Sequence, residues 1–184
     1  MLHIKVDGNE FFNEDTQEFI QVKPQELTME HSLLSVSKWE AIWKKPFLSN
    51  ENKTKEEYIS YFKCMTINSN VDPLVYDCLT VKQIARIKNY IDDPHTATTI
   101  NDARIQKTAP KRARVITSEL IYAWMIANNI YKDCEKWHLS RLMTLIRVCS
   151  IENNPNKKKM GKKDIYRQNR ELNAARRAKY HTHG

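Results

Sequence analysis

Three short motifs constrain this chain more than anything else in it. Ser37-x-x-Glu40, Thr54-x-x-Glu57 and Thr80-x-x-Gln83 each stand at the head of an apolar run with helical spacing. In such a capping box the hydroxyl and the carboxylate or amide satisfy backbone N–H groups that no helical carbonyl reaches. One box is weak evidence, but three that each open a periodic run agree across levels. The second run, EEYISYFKCM, places Tyr58, Tyr61, Phe62 and Met65 on one face. The third, VKQIARIKNYI, does the same for Val81, Ile84, Ile87 and Ile91. Pro46 is expected to stop the first helix after about two turns, because proline lacks the N–H and clashes with the preceding turn.

Two further helices are expected at ITSELIYAWMIAN (116–128) and DCEKWHLSRLMTLIRVCSI (133–151). The short linker Asn129–Lys132 favours an antiparallel helical hairpin, placed here at the centre of the core. The first thirty residues differ. LHIKV alternates, and Asp7-Gly8 and Asn13-Glu14-Asp15 supply turn material, which predicts two or three short strands with one wet face. The fold class is therefore mainly α: a small N-terminal β-hairpin or three-stranded element over 1–31, then a helical core domain over 32–152. Within that domain, residues 93–116 read as a long loop. A basic extension over 153–184 follows, with helix formers from Lys162 to Lys179.

The net charge of +8 is concentrated. Residues 155–184 hold ten Lys/Arg and two Asp/Glu, so residues 1–154 hold twenty of each sign. A nucleic-acid reading of the basic pI thus belongs to the tail alone. Three glycines leave little room for a phosphate-cradling loop, and no G-x-x-x-x-G-K or His-Glu-x-x-His motif is present. No apolar run approaches the roughly 18–20 residues of a membrane span. Cys64, Cys78, Cys134 and Cys149 form no C-x-x-C pair and no signal peptide precedes them, which reads as reduced thiols in a cytosolic protein.

Cys134, His138 and Cys149 are the candidate metal ligands, since positions 134 and 138 share a face of the expected 133–151 helix. The paired spacing of a zinc site is absent, and the plainer reading is a core histidine with buried thiols. The carboxylate pairs Glu14-Asp15, Glu56-Glu57 and Asp92-Asp93 sit at turns and helix ends. No general acid–base constellation emerges, so neither an enzyme nor a cofactor is expected.

The stretch SKWEAIWKKPFL (37–48) carries Trp39, Ile42, Trp43, Phe47 and Leu48 on a short element. Burial accounts for at least one indole. The alternative is an aromatic anchor for a protein partner. Basic side chains that would order on a partner are Lys107, Lys111, Arg112 and Arg114 in the loop. In the tail they are Lys157, Lys158, Lys159, Lys162, Lys163, Arg167, Arg170, Arg176 and Arg177.

EHSLLSVSKWEAIWKKPFL (30–48), ITSELIYAWMIANNI (116–130) and KWHLSRLMTLIRVC (136–149), followed by basic NKKKMGKKDIYRQNRELNAARRA (156–178), resemble the tail assembly chaperones of tailed bacteriophages. The blocks cover most of the chain, and the S-K-W-E-x-x-W-x-x-P-F-L block is the most specific. The resemblance implies a non-enzymatic protein of the host cell cytoplasm, absent from the mature virion. It implies binding to the long helical tape measure protein before the tail tube polymerises, and it brings self-association within range. Many such proteins are made in two lengths by ribosomal frameshifting, and the basic tail is where a long form would diverge. The family has no established catalytic residues. The rival expectation is a nucleic-acid-binding structural or regulatory phage protein acting through the tail.

Overall fold

A computed structural model describes residues 1–13, 17–49, 51–100, 115–153 and 162–180. The chain forms two compact units, Met1–Ser150 and Ile151–Gly184. Among the described residues the first unit begins with four strands: β1 (Leu2–Val6), β2 (Asn9–Asn13), β3 (Glu18–Val22) and β4 (Gln25–Met29). Helices follow: α1 (Leu33–Trp43), α2 (Lys55–Met65), a 3-10 turn at Pro73–Cys78, α3 (Val81–Asp92) and α4 (Ser118–Ala127). A second 3-10 turn at Lys132–Lys136 and α5 (Leu139–Glu152) come next, and α6 (Lys162–Tyr180) belongs to the second unit.

The β element has four strands rather than two or three. β1 pairs antiparallel with β4, and β2 pairs antiparallel with β3. The register carries straight across the break. Val6 faces Gln25 and Asn9 faces Val22, with Asp7-Gly8 and Lys23-Pro24 lying between these pairs. The element is thus one long ribbon interrupted near its middle. Pro24 has no N–H to give to a ladder. Gly8 approaches its neighbour so closely that an added Cβ would lie 2.4 Å from the Val22 carbonyl oxygen.

The root of the ribbon is built into the core. Leu2, Ile4 and Val6 alternate with exposed His3 and Lys5, and Leu27 and Met29 complete the same buried face. This is the one-sided sheet expected from period-2 patterning. The chain after β4 stays extended and is clasped on two sides. Ile67 N–H donates to Thr28 O and Glu30 N–H to Met65 O, while Leu139 N–H donates to His31 O.

α1 starts earlier than the sequence indicated. Its N-cap is Ser32, which trades side-chain bonds with Ser35, and Ser37 lies inside the helix. The Ser37–Glu40 box is therefore not used; Ser32 is already placed at the end of an extended segment bridged to His138. The other two boxes form as expected at Thr54/Glu57 and Thr80/Gln83. α1 ends at Lys44, which adopts the left-handed conformation (φ 55°), and Pro46 follows. Tyr61, Phe62 and Met65 of α2 are buried, whereas α3 buries only Ile87 and leaves Val81 exposed.

The helical hairpin over 116–151 is not the organising centre. The segment expected to be helical from 133 makes a 3-10 turn instead, and α5 begins only at Leu139, because His138 is held in an extended bridge to Ser32. α1 is the hub, packing against α2 and α4. Residues 94–100 and 115–116 of the long loop lie outside any helix or strand, and its remaining positions, 101–114, are outside the described residues.

Candidate protein-docking surface

The 37–48 stretch divides into an enclosed part and an open part. Trp39 is 1% exposed and its Nε1–H donates to the Glu57 carbonyl at 2.9 Å. Phe47 is buried, edge-on to Trp39 and stacked on Tyr61 with centroids 3.9 Å apart. The expectation that Trp39 and Phe47 offer themselves to a partner is thereby corrected: α2 covers both, and its Glu57 carbonyl satisfies the indole. Glu57 lies beneath this cluster, paired with Lys45 at 2.8 Å, and its carboxyl is held below the ordinary range by that ammonium and the Thr54 N–H.

Trp43 is half-buried, stacked on Trp39 at 6.0 Å, and its Nε1–H donates to Ser60 Oγ at 2.9 Å. Ile42 is 63% exposed and Leu48 37%. Ile42, Trp43 and Leu48 are therefore the members of the predicted anchor that face solvent. Trp43 is held on one side by stacking and a hydrogen bond, which leaves the side chain little freedom.

A second apolar site was missed in the sequence. The outer half of the ribbon, β2–β3, carries Phe12 and Phe19 opposite each other, 53% and 67% exposed, with ring centroids 5.1 Å apart. The signal was present in NEFFN and EFIQV: aromatic or aliphatic residues at consecutive positions cannot all point to one face of a strand.

The basic candidates fall into three groups. Lys107, Lys111, Arg112, Arg114, Lys157, Lys158 and Lys159 lie outside the described residues. Lys162 and Lys163 are in the first turn of α6, and Arg167, Arg170, Arg176 and Arg177 are exposed along it.

The candidate residues for metal or thiol chemistry are differently placed. Cys134 sits in a 3-10 turn and His138 in the extended bridge, so they do not share a helix face. Burial pushes the thiols of Cys64, Cys78 and Cys134 up, which disfavours the thiolate needed for nucleophilic work. No group of three His, Cys, Asp or Glu side chains is arranged to hold a metal among the described residues.

His138 instead joins an imidazole cluster. His31 and His138 meet at 5.1 Å, and His95 stacks on His138 at 4.1 Å. His31 Nδ1 bonds the Tyr61 hydroxyl, and His138 Nε2–H donates to the Tyr90 carbonyl at 3.0 Å. The Tyr90 hydroxyl donates to Glu30 Oε1 at 2.7 Å. Burial, reinforced by His138 and His95, lowers the His31 pKa to about 3, and burial lowers that of His138 as well. These two rings are neutral near pH 7 and work as packing and hydrogen-bonding groups.

No family model, no curated protein and no solved structure matches this chain. Among the described residues no helix is long and apolar enough to cross a membrane.

Proposed function

We propose that the protein is a tail assembly chaperone of a tailed bacteriophage, which binds the tape measure protein in the host cytoplasm and performs no catalysis. The sequence blocks at 30–48, 116–130, 136–149 and 156–178 support the reading through their resemblance to that family. The observation that supports it physically is the half-open Trp43, stacked on Trp39 of the Trp39–Phe47–Tyr61 cluster, with Ile42 and Leu48 exposed in the same stretch. A long helical client is recognised by apolar residues spaced along one face, laid against anchors of this kind. The basic residues of the loop and tail would attract acidic stretches of that client during encounter. Mixing the protein with a tape measure fragment at micromolar concentration should give one co-eluting peak in size-exclusion chromatography. Two separate peaks would overturn the proposal.

A nucleic-acid role is the second reading, favoured by one observation. α6 contains seven Lys/Arg against two Asp/Glu, with Arg167, Arg170, Arg176 and Arg177 exposed. Binding of that kind weakens steeply with salt. A DNA titration at several salt concentrations, with and without residues 155–184, separates the readings: tight, tail-dependent binding at physiological salt would favour this one.

A further inference from the structure

We propose that the outer face of the β2–β3 arm is a docking site for a basic helical polypeptide segment that carries apolar or aromatic anchors. The inference rests on the proposed function only for the identity of that segment, the tape measure protein.

Strand alternation fixes the two faces of the arm. Phe11 opposite Ile20 and Asn9 opposite Val22 share one face; Phe12 opposite Phe19 and Glu10 opposite Gln21 share the other. The first face is partly taken up by folding, since Val22 is buried and Phe11 packs against the core, while Ile20 stays 37% exposed. The second is not. A cross-strand aromatic pair steadies a hairpin, yet most of both rings remains wet here. Below the rings, where the ribbon is interrupted, lies a shallow concavity of about 470 Å3, lined by residues 8–10 and 21–24. Glu10 and Gln21 put a carboxylate and an amide at its edge, together with Lys23. Gly8 keeps the two strands close at this point.

Charge selects the occupant. Residues 9–22 contain four Asp/Glu and no Lys or Arg; Glu10 is exposed on the face of the rings, and Glu18 is exposed next to Phe19 along the strand, on the opposite face of the same narrow arm. Two such arms repel each other, and nucleic acid is repelled as well. A segment bearing Arg or Lys is attracted, its cations sit well over phenylalanine faces, and its apolar side chains cover the remaining ring surface.

The test uses the full-length protein and two arm variants, F12S/F19S and E10K/E18K, each checked for wild-type circular dichroism and thermal midpoint. Labelled probes are overlapping tape measure peptides and a peptide of residues 162–180 of this chain, with a counterpart in which Arg167, Arg170, Arg176 and Arg177 become Glu. Fluorescence anisotropy should show basic peptides binding the wild type and losing about tenfold or more in either variant. E10K/E18K should gain affinity for the acidic counterpart. Equal binding to wild type and F12S/F19S, equal binding of acidic and basic peptides, or no binding of any basic peptide would each overturn the proposal. A tape measure fragment that co-elutes equally with both variants defeats the arm site and leaves the chaperone reading standing. Arm-dependent binding of the 162–180 peptide without co-elution of the fragment defeats the chaperone reading and assigns the site to a second copy's tail.

Discussion

The Glu40 carboxylate accepts the backbone N–H of Ser118 at 2.8 Å, across seventy-eight residues of chain. Its other oxygen accepts Phe47 N–H at 2.8 Å. One buried side chain of α1 thus caps the start of α4 and fixes the turn that delivers Phe47 to the core. An acidic group suits the first turn of another helix, where N–H groups lack helical partners. Replacing Glu40 with Ala strands two buried donors and should cost about 3 kcal/mol. Glu40→Gln keeps one acceptor and should cost about half as much. Urea unfolding measures both; an alanine variant within 0.5 kcal/mol of wild type would refute the capping role.

Trp39 and Ile42 are three residues apart but should answer mutation in opposite ways. Trp39→Ala empties an enclosed site and should lose about 3–5 kcal/mol of stability. Ile42→Asp changes an exposed position and should stay within about 0.5 kcal/mol. If the proposed function holds, it should nevertheless weaken tape measure binding about tenfold. Paired melting and binding assays check this, and an Ile42→Asp variant with unaltered affinity would remove Ile42 from the docking surface.

Acid should loosen the fold through His31. Its folded pKa is about 3 against 6.5 for the free side chain, so the unfolded chain takes up the proton first. Stability is complete above 6.5 and declines as the pH drops toward 3. The linkage relation gives a loss of about 2 kcal/mol between pH 7 and pH 5 from this ring. His138, lowered by burial, acts in the same direction. Denaturation curves at the two pH values should show the difference, reduced in a His31→Gln variant; a flat profile would contradict it.

At Gly8 the constraint is space, not backbone angle, since no glycine among the described residues has positive φ. An alanine Cβ meets the Val22 carbonyl, which is main chain and cannot rotate away. Gly8→Ala should destabilise by about 2 kcal/mol. Amides of residues 9–22 should exchange faster with deuterium, and unchanged protection there would disprove the packing argument.

Local chemistry made much of this fold readable. The Thr54 and Thr80 boxes and the alternation in LHIKV are decided within a few residues, and each forms as the pattern requires. What was not readable depends on partners far along the chain. Ser37-x-x-Glu40 has the spacing of a box, but Glu40 is drawn to Ser118 and Phe47, and Ser32 takes the cap. The 133–151 pattern has helical spacing, but pairing of His31 and Ser32 with Leu139 and His138 holds its start extended. The same limit governs the docking surface. Trp39 and Trp43 are alike in sequence, and only the position of Glu57 and Ser60 on α2 separates the enclosed ring from the half-open one.

The ribbon's root has a mechanical consequence. Leu27 and Met29 are wholly enclosed and lie on the same strand line as Phe19. Tension applied at the tip is therefore carried along covalent backbone into the interior. A load on the two rings would fall on strands whose roots are packed into the core rather than on free ends.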